Sequence, residues 1–331
     1  MRKKIAGQLL IFCLLFLAWW YTVQQKALIP ASGLITGPLP VFPQVQVNLL
    51  QSKNPVLVED AVNETSRALL RYIVPDLAGE PWQKKHLFLD MFGDKEPELV
   101  FAFSLPPDRG ILAVIQKQNS RYVLCCFIDD LLPVGRIDQV AGPEGKDILI
   151  TREDHNERTG AYSESQTLKL WTWQKNKPET AWEEQTFWEL NLLNTWYDPQ
   201  TRPAQWYKLI QELTVTMQAA PSCQVRVEGE QRFFCSPAGE KETLPAPYHF
   251  DLVSARNIQA NYQWDKEWRR FILSAGTLDQ PGAGPQTVVI LRDMEKHLES
   301  MVLPWQKQFY QVLTREGQII LAKKEQVKPA P

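Results

Sequence analysis

The runs Leu99-Val-Phe-Ala-Phe103, Ile111-Leu-Ala-Val-Ile-Gln116 and Tyr122-Val-Leu-Cys-Cys-Phe-Ile128 decide the fold. Each is short, apolar, rich in β-branched and aromatic residues, and bounded by turn residues. Working outward, Leu87–Met91 precedes them, and Asp147–Thr151 and Thr167–Trp173 follow. Six strands within about 90 residues, with no helix between them, call for antiparallel meanders. Further strands surround Cys223 and run through Ile258–Trp264, across the turn Asp265-Lys266-Glu267 into Trp268–Leu273, and over Thr287–Leu291. A C-terminal hairpin, Phe309–Thr314 with Gln318–Ala322, turns about Glu316-Gly317. The expected class is therefore mainly β with a few helices.

The clearest helix covers about 55–73. Asn54 can cap it, Pro55 suits its first turn, and Ala61, Val62, Thr65, Ala68, Leu69, Tyr72 and Ile73 recur at helical spacing until Pro75 stops it. The spacing of Trp206, Leu209, Ile210 and Leu213 predicts a second helix over Pro203–Leu213, and a short third lies near Asp293–Val302. The tail, 326–331, reads as disordered.

Ahead of all this, Met1-Arg-Lys-Lys4 opens the chain, and Ile5 to Val23 carries no charge. A helix of that length spans about 30 Å, the thickness of a hydrocarbon layer, and Trp19, Trp20 and Tyr21 fall where interfacial aromatics are favoured. The expectation is a single-pass signal-anchor at 5–23, a cytoplasmic stub at 1–4, a Pro/Gly linker at 24–47, and an extracytoplasmic body over 48–325. Cleavage near Ala27 to Gly33 is the alternative and makes the protein secreted. Bulky aromatics stand where a small-x-small cleavage site belongs. Both readings place the body outside the cytoplasm, at or beyond the cell membrane.

With 44% hydrophobic residues the body can bury a proper core. The formal net charge is −2, and setting aside the cations Arg2, Lys3, Lys4 and Lys26 leaves −6 for the body. That balance disfavours nucleic acid as a partner.

One internal repeat is visible. Asp90-Met-Phe-Gly-Asp-Lys-Glu-Pro-Glu-Leu-Val-Phe-Ala102 aligns with Gln139-Val-Ala-Gly-Pro-Glu-Gly-Lys-Asp-Ile-Leu-Ile-Thr151. Each copy has Gly at its fourth position, an acid at its ninth, and an apolar strand after it. The first copy resembles the calcium loop of FG-GAP or VCBS-type β-propeller repeats, close to Asp-Leu-Asp-Gly-Asp-Gly-Lys-Pro-Glu-Leu-Val. The resemblance covers about a dozen residues strongly and about 86–173 loosely, and it implies propeller-like repeats there. It also implies Ca²⁺ held by Asp90, Asp94 and Glu98, because alternate carboxylates can supply the oxygens a hard cation takes. Phe92 replaces the third acid and Lys95 the usual glycine. A turn whose acids serve structure is the competing reading. In the second copy Gln139 and Pro143 replace two ligands, so that loop should be metal-free.

Of five cysteines, Cys13 lies in the apolar run. Cys223-Gln-Val-Arg-Val-Glu-Gly-Glu-Gln-Arg-Phe-Phe-Cys235 reads as a hairpin about Glu228-Gly229-Glu230, which sets Cys223 opposite Cys235 as a disulfide pair. Two unpaired thiols are the alternative. Cys125 and Cys126 should face opposite sides of a strand.

Twelve tryptophans stand out. Period two puts Trp171 and Trp173 on one face with Lys169, an aromatic platform for sugar rings or, alternatively, core packing. Catalytic signatures are missing: His86, His155, His249 and His297 have no metal-ligand spacing, and no nucleophile elbow or phosphate loop occurs. Two functional classes follow. One is a membrane-tethered binding or assembly module for an envelope protein or glycan. The other is an extracytoplasmic cell-wall or glycan hydrolase using acids such as Asp129-Asp130 or Glu183-Glu184.

Overall fold

The computed structural model describes residues 39–76, 81–157, 162–174, 177–197, 200–201, 203–219, 221–237, 239, 243–280 and 284–330. The apolar segment 5–23 and residues 24–38 of the expected linker lie outside them. The protein is mainly β with antiparallel sheets, one of them a half-barrel. The chain divides into two compact units, one reaching His86 together with Leu99–Leu132, the other formed by Leu87–Glu98 and the chain from Pro133 onward.

The first unit begins with β1 (Val41–Pro43) and α1 (Gln44–Leu50), so the end of the expected linker is ordered structure. The cause is apolar: Phe42, Val47 and Leu50 are buried. Helix α2 (Pro55–Ile73) has the expected bounds. Asn54 Oδ1 accepts from the N–H of Val56 at 3.1 Å, Pro55 fills the first turn, and Ala61, Thr65, Leu69 and Leu70 are buried. The sheet order is β1-β5-β4-β3-β2, with β2 (Gln83–Leu89), β3 (Glu98–Leu105), β4 (Arg109–Gln118) and β5 (Arg121–Leu131). All of β3 is buried, which explains its uninterrupted apolar sequence. Cys125 sits at a bulge opposite Val114 and Ile115, so strict alternation fails there.

The second unit carries an eight-stranded meander in which every strand pairs with its sequence neighbour. Its strands are β6 (Val134–Ala141), β7 (Asp147–Glu157), β8 (Tyr162–Gln174), β9 (Lys177–Leu193), β10 (Trp206–Gln218), β11 (Gln224–Cys235), β12 (Asp251–Asp265) and β13 (Arg270–Ile272). A four-residue helix, α3 (Asn194–Tyr197), joins β9 to β10. The buried side chains of one face, among them Leu170, Trp182, Val225, Val227, Tyr262 and Phe271, form one cluster. A five-stranded sheet follows in the order β17-β16-β15-β14-β18, from β14 (Ser274–Gln280), β15 (Gly284–Asp293), β16 (Phe309–Thr314), β17 (Ile319–Lys323) and β18 (Val327–Pro329). The two repeat copies feed different sheets: β2 and β3 the first, β6 and β7 the eight-stranded one.

Four expectations are corrected here. The predicted helix over Pro203–Leu213 is strand β10, because β9 and β11 supply hydrogen bonds on both its edges and outweigh an ambiguous apolar spacing. The predicted hairpin of Cys223 and Cys235 is the single strand β11, paired along its length with β10 and β12. Cys223 and Cys235 therefore lie at the two ends of one strand as free thiols. Gly229 misled the prediction: it is no turn residue but a close approach, where a Cβ would fall 2.0 Å from the carbonyl oxygen of Glu212. The expected short helix near Asp293–Val302 is two 3-10 turns, Met294–Lys296 and Leu298–Met301, followed by a third at Pro304–Gln308. Within the expected disordered tail Val327–Pro329 form an edge strand, with Leu278 opposite a buried Val327, and Ala330 N–H donates to the carbonyl of Ala275.

The 3-10 segment is held to the eight-stranded sheet by a row of polar side chains. Gln211, Gln231 and Arg256 are direct cross-strand partners on β10, β11 and β12. Gln231 Nε2 donates to Gln211 Oε1 and to the carbonyl of Lys296, and Arg256 donates to Gln231 Oε1, to the carbonyl of His297 and to Ser300 Oγ. Gln231 is fully buried, so this satisfaction is what makes a polar row tolerable inside a sheet.

Candidate functional site

At one end of the eight-stranded sheet, the turn between β6 and β7 lies beside the Asp90 loop and the turn between β12 and β13. The first contributor is the turn Asp90–Pro97. Asp90 Oδ1 accepts from Gly93 N–H at 2.6 Å and its Oδ2 from Lys95 N–H at 2.9 Å, while Asp94 Oδ1 accepts from Glu96 N–H at 2.9 Å. Glu98, buried, accepts from the N–H groups of Met91 at 2.8 Å and Phe92 at 3.3 Å. Burial raises the Glu98 carboxyl to about 7, with Asp94 and Asp90 adding to it against the pull of the two N–H donors.

The three acids expected to hold calcium thus each serve backbone donors of their own loop. Among the described residues no group of three His, Cys, Asp or Glu side chains is placed to hold a metal ion. With Phe92 at the third ligand position, its ring lies 4.3 Å from that of Trp173 instead of a carboxylate facing a cation.

The second contributor is the turn between β6 and β7. Gly142 N–H donates to the carbonyl of Lys146 at 2.8 Å, and Glu144 (φ 61°) and Gly145 (φ 74°) both take the left-handed conformation. This loop is clasped to the first: Asp90 N–H donates to Asp147 Oδ2 at 3.0 Å, and Asp147 N–H to the carbonyl of Asp90 at 2.7 Å. Gly93 leaves room for the Lys146 stem, whose Cγ would be 3.0 Å from a Cβ there. The ninth-position acids of both repeat copies, Glu98 and Asp147, therefore end on the first turn of copy one.

The third contributor is the turn from β12 to β13. Asp265 Oδ1 accepts from the N–H groups of Glu267 and Trp268, Arg269 is left-handed at φ 50°, and its carbonyl accepts from Gln174 Nε2 at 3.0 Å. The second and third of these elements, with the end of β8, border a groove of about 30 Å³ lined by Glu144, Lys146, Asp147, Trp173, Trp264 and Arg269 among others.

Trp171 and Trp173 part company. Trp171 is buried, donates its indole N–H to Thr151 Oγ1 at 2.9 Å and belongs to the core, whereas the half-buried Trp173 lines the groove. Ala181, the extra residue of a bulge in β9, stands opposite Leu170 and Trp171. Trp264 and Arg269 reach the groove from about 90 residues away in sequence, and only the Asp-Lys-Glu turn between flanking tryptophans hinted at them.

A second cavity, about 20 Å³, is lined by Glu184, Gln211, Tyr262, Arg292 and His297 among others. It has room for one water. Glu184 lies 3.3 Å from Arg292; burial raises its carboxyl and Arg292 pulls the other way. Burial, aided by Arg292, lowers His297 to about 3, so its ring is neutral. Asp129 is paired with Arg109 at 2.7 Å. Of the four acids considered for hydrolysis, Glu184 lines this cavity together with Asp293, and the cavity holds no more than one water.

Comparison with protein-family models, with curated proteins and with solved structures gives no match.

Proposed function

We propose that this chain is a membrane-tethered binding or assembly module whose body lies outside the cytoplasm and engages an envelope protein or glycan through the loop end of its eight-stranded sheet. The observation that carries this reading is the groove at that loop end, lined by Trp173, Trp264 and four charged side chains and, at about 30 Å³, too small to enclose a substrate. Exposed aromatics elsewhere on the same unit, Trp196 at 50% and Trp305 at 52% exposure, support a surface built for contact.

The tether is the uncharged run Ile5–Val23, with residues 1–4 cytoplasmic. No helix among the described residues is long and apolar enough to cross a membrane, and that run lies outside them. The resemblance of residues 90–102 to FG-GAP repeats, whose propellers often mediate adhesion, favours the binding class over the hydrolase class. The resemblance rests on the loop; sheets of five and eight strands are larger than a four-stranded blade.

Covalent crosslinking of the tagged full-length protein in native membranes, with mass spectrometry of the captured species, tests the proposal. A dominant partner that is lost when Trp173 is replaced by alanine supports it. Hydrolysis of wall material by the purified protein, abolished by Glu184→Gln or Asp129→Asn, would replace it with the enzyme reading.

A further inference from the structure

We infer that Cys125 and Cys126 form a reversible thiol–disulfide site, two adjacent thiols on one side of β5 that a low-molecular-weight disulfide closes into a ring. The inference goes beyond the binding-module reading and stands or falls without it. Strand pairing brings the two sulfurs together. Leu124 is opposite Ile115 of β4, and Cys126 is opposite Val114. Ile115 and Val114 are neighbours along β4 and so face opposite sides of the sheet. Cross-strand partners share a face, which puts Leu124 and Cys126 on opposite sides although they are two residues apart. Cys125, the extra residue of the bulge between them, therefore shares a side with one of its neighbours. A hydrogen bond between the two thiols shows that this neighbour is Cys126.

The environment gives each sulfur its own role. Cys126 is buried, whereas Cys125 is half-buried. The Cys126 thiol donates to the Cys125 sulfur, which holds the Cys125 thiol below its ordinary value, while the same bond and burial push Cys126 up. The thiolate is the nucleophile, so Cys125 attacks first. Its sulfur displaces one thiol from the incoming disulfide and forms a mixed disulfide. Cys126 then loses its proton to the medium, its sulfur attacks Cys125 Sγ, and the second thiol departs. The two cysteines have lost two hydrogens, and the incoming disulfide has become two thiols. The sheet leaves room for this exchange: β1 pairs with β5 only over Arg121–Val123, so among the described residues no strand runs beside Cys125 on that edge. Consecutive Cα atoms are about 3.8 Å apart, closer than an unstrained disulfide prefers, so the ring should be readily reduced again.

The test treats the folded, reduced full-length chain with excess glutathione disulfide, quenches with acid, unfolds the protein and caps the remaining thiols with a maleimide. Peptide mass spectrometry should find the segment carrying Cys125 and Cys126 uncapped and lighter by two hydrogens, and reduced glutathione should restore both caps. Cys223 and Cys235, at the two ends of β11, should form no link to each other and serve as the internal reference. Cys126→Ser removes the second step, so Cys125 should accumulate a glutathione adduct roughly tenfold above its level in the wild type. Cys126→Ala replaces it where a buried serine impairs folding, and the wild-type measurement needs no variant. Cys125→Ser should leave the buried Cys126 free of adduct, and an adduct there as fast as that on Cys125 would overturn the assigned roles. Two capped cysteines in the treated wild type, or a glutathione adduct that never advances to the ring, would overturn the inference itself.

Discussion

Asp90 and Asp147, 57 residues apart, hold each other through two hydrogen bonds, the N–H of Asp90 to the Asp147 carboxylate at 3.0 Å and the N–H of Asp147 to the Asp90 carbonyl at 2.7 Å. The first and last loop positions of two repeat copies are thereby joined at the edge of the groove.

Replacing Asp147 with alanine leaves the Asp90 N–H without its side-chain acceptor. Asp147→Ala should destabilise the protein by about 1–2 kcal/mol in urea unfolding, and Asp147→Asn, which keeps an acceptor oxygen, by less than half of that. Equal effects of the two substitutions would show that the hydrogen bond contributes nothing.

Calcium offers a second check on these loops. With Asp90, Asp94 and Glu98 accepting from their own backbone, millimolar Ca²⁺ should move the melting temperature by less than about 1 °C. A rise of several degrees, reversed by a chelator, would mean that the loop opens to take the ion.

Glu98 makes stability depend on pH with a definite sign. Its carboxyl titrates near 7 in the fold against 4.5 when unfolded, so the folded state prefers the protonated form. The preference costs nothing below about pH 4.5, and stability falls as pH rises through 7, by an amount on the order of 3 kcal/mol. Subtracting the stability profile of Glu98→Gln from that of the wild type isolates this slope from other buried groups, such as His297, whose lowered value acts at acid pH. A flat difference between pH 5 and 8 would remove the assignment.

The row of Gln231 and Arg256 should behave as a unit. Either Gln231→Leu or Arg256→Met alone strands a buried partner and should cost about 2–4 kcal/mol, whereas the double variant should cost at least 1 kcal/mol less than the two singles combined. Simple additivity in the double-mutant cycle would show that the contacts are independent.

Gly229 is a steric requirement of the β10–β11 pairing. A methyl group 2.0 Å from the Glu212 oxygen and 2.8 Å from Leu213 Cα cannot be accommodated without moving a central strand. Gly229→Ala should lower stability by about 3 kcal/mol or more, and a loss under about 1 kcal/mol would contradict the observed register.

Much of the local structure was legible. Helix α2 announced itself through Asn54, Pro55 and a periodic apolar face, since caps and helical spacing are properties of neighbouring residues. Most strands were visible for the same reason, as was the hairpin of β16 and β17. The acids of the Asp90 loop were recognisable as loop-forming, but not their targets: a carboxylate closing a turn on its own N–H groups and one binding a cation have the same sequence.

Partnership between distant segments was not legible. Gly229 as turn or close approach, Pro203–Leu213 as helix or strand, and the pairing of Val327 with Leu278 all depend on which strand lies alongside. The groove is the extreme case, since Lys146, Trp173 and Arg269 come together only because a meander returns its turns to one end of the sheet. Residue chemistry and local periodicity act over a few neighbours and are written in the chain order. Register and burial are settled by competition among long-range contacts, and that competition separated Trp171, taken into the core, from Trp173, left at the groove two residues away.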